Sequence, residues 1–526
     1  MFSKISILFL FINIFQKSSQ EIISDTNFLS EVTATCNYNY HIETNRYSCF
    51  LIDANITLPN QTLRIVGQHL PDHTDEHVQA LFPLTNSKLY FFNGEIMEKF
   101  INLQAMRFSS INEIYGFSEN AFNSCRQLTE LEFGNLLMTT LPNGLFRNCH
   151  QLRNFNILSA TSLTSLPSDL FGTSQALINF HLSGTQVTTL PSTIFQYSFN
   201  LRTVNLDYNR ISTLDSNLFR NSRILESIDL SSNLIADPNI IYNLLNGMTN
   251  LRRIVLYSSG ISNINLEFFN QFQWLDTFGI RSHVPLTNLG WNRLPESLRT
   301  LRAFNLGEPI PQNALSHLYN LRNLLLQGRP IGNFHQYFFQ NLTNLEDLSL
   351  NDCGITKLHP QLFSSLHRLQ NLGLSLNMIE ELPAGVFANL NNLGGGMWES
   401  ISLAFNKIRR LNRNSFGTHP YLVFLALDGN EIYEIERGIF GQSFPNLDYV
   451  TLTRNKCVDE MIRENFDENP KLEYCYANWL GIATTSPAMT TSTIMTTSTT
   501  DGGKSLKINL ITILISVICV ILIRNI

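Results

Sequence analysis

Three consecutive stretches share one spacing of apolar and polar positions. LINFHLSGTQV from Leu177, LRTVNLDYNRI from Leu201 and LESIDLSSNLI from Leu225 start 24 residues apart. Each fits L-x-x-L-x-L-x-x-N-x-I, with Thr185 in place of the first Asn and Asn209 and Asn233 in the next two. Leu201, Val204 and Leu206 cannot all face one side of a plain period-2 strand. They can all point inward if a short strand bends and the chain coils round. Asn209, sunk inside that turn, can bond the backbone N–H and C=O groups that the bend leaves unpaired. One coil cannot bury its own apolar face, so coils must stack and share a core, their strands forming a parallel sheet at about 4.8 Å spacing. Phe171, Phe195 and Phe219 recur at one offset and close the far side of each coil.

The same spacing extends in both directions. Leu103, Leu128 and Leu152 open earlier units, and Leu251 and Leu275 open the next two. Leu321, Leu345 and Leu369 follow, with Cys353 and Asn377 in the ladder position. Ile401 with Asn406, Leu422 with Asn430 and Leu447 with Asn455 complete about fourteen coils. Phe122, Phe146, Phe363, Phe387, Phe416 and Phe440 are expected to continue the rear spine. Two stretches break the register. Residues 282–311 carry four prolines and no ladder Asn, and Leu298 and Leu301 read as a shortened coil. NNLGGGMWES, with Trp398, reads as a flexible insertion.

On these repeats the chain resembles extracellular leucine-rich repeat proteins, and its layout resembles that of arthropod cell-surface members. The resemblance implies an α/β solenoid, a leucine-rich repeat horseshoe with a parallel concave sheet, capped at both ends. It implies a non-catalytic protein that binds a protein ligand or a cell-surface receptor, in adhesion or as a ligand-binding receptor component. Recognition of microbial or anionic polymers is the alternative. Cys36 with Cys49, and Cys457 with Cys475, read as disulfides of reduced N- and C-terminal caps, where the family pattern has four cysteines each.

Composition adds the cellular setting. Charged residues make up 15% against 44% hydrophobic, and the formal net charge is −6, which gives no reason to expect a nucleic-acid partner. Residues 1–19 read as a secretory signal peptide. An N-terminal cap over 20–98, the repeats over 99–456 and a C-terminal cap over 457–482 follow. A Thr/Ser-rich stalk spans 483–503. Residues 504–526 end in the apolar run Ile508–Ile523, about 24 Å of helix against a core of about 30 Å. This tail reads either as a GPI signal attached at Gly502 or as a short transmembrane helix. The expected location is the outer face of the plasma membrane, with N-glycans at Asn55, Asn60 and Asn341. Whether the protein pairs with itself stays open.

Candidate chemistry is sparse. His73-Thr74-Asp75-Glu76-His77 matches the zinc-peptidase pattern H-x-x-E-H, but Pro71 and the cap-like surroundings favour a solvated segment. No enzyme activity, resident metal or cofactor is expected. Cys125 and Cys149 occupy equivalent places in adjacent units; coils that fan apart on the convex side favour two buried thiols. Period-2 alternation assigns Arg202, Asn205, Tyr208, Arg252, Arg253, Tyr257, Arg281, Arg302 and Arg322 to the concave face, with Glu346, Asp347 and Asp352 beside them. Arginines interleaved with tyrosines can grip carboxylates, sulfates or glycans. Treatment of intact cells with a phosphatidylinositol-specific phospholipase is expected to release the protein; full retention would assign the tail to a transmembrane helix.

Overall fold

A computed structural model describes residues 31–58, 61–84, 87–108, 113–394 and 401–479. The expected signal peptide, stalk, Gly502 and tail, together with Asn60 and Trp398, lie outside these residues. The chain divides into two compact units. Unit 1 takes the chain up to Leu152 with Ile157–Ser162 and Leu170–Ser174; unit 2 takes Arg153–Asn156, Leu163–Asp169 and the chain from Gln175 on.

Unit 1 begins with an antiparallel hairpin, β1 (Glu31–Tyr40) and β2 (Tyr47–Ile52), its register fixed by Tyr38 opposite Cys49. Cys36 and Cys49 are bonded, their Cα atoms 5.2 Å apart. Strand β3 (Thr62–Val66) adds in parallel to β1. On the other side, β2 pairs in parallel with β4 (Ala80–Pro83), which pairs with β5 (Ala105–Phe108), which pairs with β6 (Glu130–Phe133). The hairpin thereby supplies a neighbour to the first coil strand and covers its open side. Asp75 locks this cap: it accepts from Lys99 Nζ at 2.7 Å, His69 Nε2 at 3.2 Å and Tyr38 Oη at 3.3 Å. Behind the sheet, Phe92, Phe122, Phe146 and Phe171 stack at centroid distances of 4.9 to 6.1 Å.

Cys125 and Cys149 are bridged, contrary to the two thiols expected. Their Cα atoms lie 4.8 Å apart, within the range a disulfide spans. Both are buried, and the neighbouring Phe122 and Phe146 meet edge-on at 4.9 Å, so the coils have not fanned apart at this depth. Cys353 is the free thiol among the described cysteines, and burial pushes its pKa up.

From Asn179 on, the described residues of unit 2 carry twelve coil strands in parallel, beginning with β7 (Asn179–Ser183), β8 (Thr203–Asn205) and β9 (Ser227–Asp229). Next come β10 (Arg253–Ser259), β11 (Thr277–Leu286), β12 (Thr300–Leu306) and β13 (Asn323–Leu326). The last five are β14 (Asp347–Ser349), β15 (Asn371–Gly373), β16 (Ile401–Ser402), β17 (Phe424–Ala426) and β18 (Tyr449–Thr451). In the regular coils the pattern leucines are buried and the residues between them are mostly not, Ala426 and Thr451 being buried as well.

The ladder side chains join the coils. Asn233 Nδ2 donates to Leu230 O of its own coil at 3.0 Å and to Leu206 O of the preceding coil at 2.7 Å, while its Oδ1 accepts from Ile211 N at 2.9 Å. Asn209, Asn377, Asn406, Asn430 and Asn455 repeat the pair of donations. Cys353 imitates half of it, with Sγ 3.3 Å from Leu326 O. The 26-residue unit before Leu251 fits its extra length into helix α1 (Pro238–Leu245), capped by Asp237 and packed through Ile241, Leu244 and Leu245.

The irregular stretch is ordered rather than loose. Without a ladder Asn to enforce the bend, β10, β11 and β12 run on for 7, 10 and 7 residues. Ser282 Oγ donates to Ser259 O at 3.2 Å and Asn305 Nδ2 to Ser282 O at 3.0 Å, so shorter groups tie the coils together. The rear spine stacks through Phe339, Phe363, Phe387 and Phe416 and then onto Phe444 rather than Phe440. Phe440 is also buried but meets Phe466 of the terminal segment at 5.8 Å. That segment holds β19 (Met461–Ile462), antiparallel to β18, and α2 (Glu473–Trp479), bonded through Cys457–Cys475.

Replacing Asn233 by Ala leaves buried backbone groups in two coils unpaired and is expected to lower stability by about 1–3 kcal/mol. Leu206→Ala, which empties a fully buried site, should lower it by about 2–5 kcal/mol. Denaturant melts indistinguishable from the parent would refute the inward placement of both residues.

Candidate functional site

Strand alternation in unit 2 leaves a floor of outward-facing side chains, ordered by the parallel register. One row runs His181, Asn205, Asp229, Val255, Gly279, Arg302 and Leu325, with Val255 covered and buried. A second runs Thr203, Ser227, Arg253, Thr277, Thr300 and Asn323.

The predicted patch splits across this surface. Arg253, Tyr257, Arg281 and Arg302 stand on β10 to β12. Arg202, Arg252 and Arg322 each precede their strand and so sit at its entry rim. Tyr208 lies past the strand exit with φ 51°, its side chain exposed. Three of these six arginines are matched by a carboxylate of the next coil or the last. Arg202 pairs with Glu226, Arg322 Nη1 lies 3.0 Å from Glu346, and Arg253 Nη2 lies 3.9 Å from Asp229. Arg252 instead covers the ring of Trp274 at 5.8 Å, and that tryptophan is 62% exposed. Asp352 accepts from Arg329 Nε at 3.0 Å, and Asp347 from Asn371.

At the centre, Tyr257 lies across Gly279. A Cβ on Gly279 would stand 2.5 Å from Tyr257 Oη and 2.7 Å from its Cζ, so only glycine leaves the phenol this bed. The ring meets Phe304 edge-on at 5.8 Å. Burial raises the Tyr257 pKa, and the Arg302 guanidinium beside the hydroxyl offsets part of that rise. Sequence spacing placed Tyr257 and Arg302 on this face but did not show Gly279 as the residue that lets them meet, because a glycine on a strand carries no pattern of its own.

Two carboxylates mark the β8–β9 side. Burial raises the Asp229 pKa, Ser231 N–H works against the rise, and the neighbouring Asp207 adds to it. For Asp207 burial also pushes upward, but hydrogen bonds from His181 and Ser183 outweigh it and the pKa falls. The floor continues over β15 to β18, strands without a charged residue, where Ser375 Oγ and Ser402 Oγ lie 2.6 Å apart and the rings of Phe424 and Tyr449 meet at 4.4 Å.

The zinc-peptidase pattern adopts another geometry. Asp75–His77 form one 3-10 turn, not the α-helix that would align both imidazoles. His73 Nδ1 meets Pro71 O at 2.8 Å and its Nε2 meets Tyr40 Oη at 3.0 Å, so neither nitrogen is left for a metal. Among the described residues, no three His, Cys, Asp or Glu side chains are grouped to hold a metal ion. No helix among them is long and apolar enough to cross a membrane. Asn55 and Asn341 are both exposed.

Asp229→Asn tests the floor's electrostatics. A carboxyl raised in the folded state contributes most below its unfolded pKa, and that contribution is lost as pH rises through the folded value. The substitution should therefore raise the denaturation midpoint at about pH 7 and make little difference at about pH 3. An equal shift at both would separate Asp229 from the pH dependence.

Comparison with known proteins supports the repeat assignment. Residues 92–223 and 164–290 match the BspA type leucine-rich repeat region, in six copies, and residues 319–379 and 343–395 match the leucine-rich repeat. No curated protein matches the sequence. Among solved structures, the Toll–Spatzle complex of Drosophila is similar at a TM-score of 0.56 and 18% identity, over 76% of this chain and 56% of that one. The TLR13–ssRNA13 complex is similar at 0.52 and 22%, over 71% of this chain and 54% of that one. A leucine-rich repeat protein of Leptospira interrogans is similar at 0.52 and 20%, over 76% and 95%. The chain thus spans little more than half of the Toll and TLR13 chains, and at these identities the likeness is one of fold. The stacked coils, their ladder asparagines and these matches together make the chain a leucine-rich repeat protein.

Proposed function

We propose that this is a non-catalytic ectodomain, displayed at the outer cell surface, that binds a protein partner through the unit 2 floor around Tyr257, in adhesion or as a ligand-binding part of a receptor. One observation carries the choice of partner: three of the floor's six named arginines are already charge-compensated. Arg202, Arg253 and Arg322 each face a carboxylate one coil away. A polyanion would have to displace these acids, whereas a protein surface of mixed charge can pair with both signs. The aromatic centre fits the same partner, since a tyrosine fixed over Gly279 and flanked by Arg302 is the kind of pre-ordered anchor that dominates protein interfaces. Three disulfides support an oxidising compartment. The Toll–Spatzle complex shows a related fold holding a protein partner.

The test displays the whole chain on cells and screens it against secreted and surface proteins. A partner is expected whose affinity falls at least about tenfold, or about 1.4 kcal/mol, with Arg302→Glu and with Gly279→Ala. Binding indifferent to both substitutions would remove the floor from consideration. Binding only to anionic polymers, weakened by salt and by Arg252→Glu, would replace the protein partner with a polymer.

A further inference from the structure

Unit 1 holds a cleft of about 470 Å³ that takes no part in the unit 2 floor. Its base is the strand-entry rim of the first coils. Gln79 and Gln104 stand just before β4 and β5, one coil apart, because Ala80 pairs with Ala105. Gln127 lines it from the following coil. Its wall is the end of the β1–β2 hairpin, with Tyr40, and the turn that carries His77.

The chemistry of the lining is selective. The backbone of Gln79 and Gln104 is committed: Gln79 N donates to Tyr47 O at 2.7 Å and Gln104 N to Gln79 O at 2.8 Å. Their carboxamides, and that of Gln127, have no hydrogen-bond partner among the described residues. Tyr40 is 43% exposed, and its hydroxyl is anchored by donating to His73 Nε2. That fixes the ring while leaving it open to the cleft. His77 Nδ1 accepts from Thr74 N at 3.1 Å, so its proton sits on Nε2 and makes a further donor. Among the described residues no lysine or arginine lines the cleft, and Glu76 is the one formal charge.

We infer that this cleft is a binding site for a neutral oligosaccharide. A carboxamide offers a donor and an acceptor side by side, the pairing that two neighbouring sugar hydroxyls require. An exposed tyrosine ring supplies the flat apolar surface against which the C–H face of a pyranose packs. Repetition of Gln79 by Gln104 at the strand spacing of about 4.8 Å suits a ligand whose hydroxyls also repeat. The lack of cations argues against a sulfated or phosphorylated ligand, and the engaged nitrogens of His73 argue against a metal. The volume lies in the range of small-ligand sites.

The experiment titrates the intact protein by calorimetry with maltohexaose, cellohexaose and the hexamer of N-acetylglucosamine. At least one is expected to bind with a micromolar to millimolar Kd that does not change between low and high salt. Tyr40→Ala and Gln104→Ala should each weaken it about tenfold. Gln104 makes no side-chain bond to the described residues, so its variant is expected to keep the parent's melting temperature and to separate lost binding from lost structure. Absence of binding to all three sugars, or binding untouched by Gln104→Ala, would overturn the inference. So would zinc chloride binding that is lost in His77→Ala while no sugar binds.

Discussion

Every coil of this protein depends on its neighbour to complete its hydrogen bonds. The strand that begins at a leucine must turn within a few residues, and the turn leaves carbonyls and amides that no regular ladder satisfies. The ladder asparagine repairs two coils at once: Asn430 donates to Leu427 O in its own turn and to Leu403 O in the turn before. Such a bond exists only when coils are stacked in register, so it enforces the stack as well as the bend. The leucines act in the same way, since their inward face is covered only by the leucines above and below. Where the asparagine is missing the protein keeps the principle and changes the group. Cys353 uses a thiol, and Ser282 and Asn305 bridge coils whose strands run longer.

Stacked coils leave an open sheet edge wherever they end, and the chain closes such edges differently in its two units. At the start of unit 1 the β1–β2 hairpin pairs with the first coil strand and so removes an open sheet edge. Its position is held by Asp75, whose carboxyl is pushed up by burial but pulled further down by Lys99 and His69. At the end of unit 2, β19 closes the edge in the antiparallel sense, while Arg437 both pairs with Glu473 at 2.6 Å and lies over Tyr476 at 4.5 Å. Each closing segment is also held by a disulfide, as expected where short elements bury too little apolar surface to stay in place alone.

Because the interior is occupied by the stacking residues, only the positions between them are free to vary. These positions make the floor. Its polar groups bond mostly to one another across coils, which pre-orders them without an enclosed chamber. Tyr257, Gly279 and Arg302 come from three successive strands, so this centre exists only because the three coils are in register.

The spacing of leucines, asparagines and phenylalanines was enough to establish the coils, the inward residues and most of the rear spine, because a period of about two dozen residues with buried polar ladders has few other packed solutions. It also placed Arg253, Tyr257 and Arg302 on the outward face. What it could not supply was the distance between side chains belonging to different coils. The Cys125–Cys149 bridge, the pairing of Arg202 with Glu226, the turn of the spine onto Phe444 and the bed that Gly279 makes for Tyr257 are all contacts between residues more than 20 positions apart, or choices between near neighbours. Periodicity specifies which way a residue faces; how closely one coil settles on the next is a matter of packing, and that belongs to the folded chain alone.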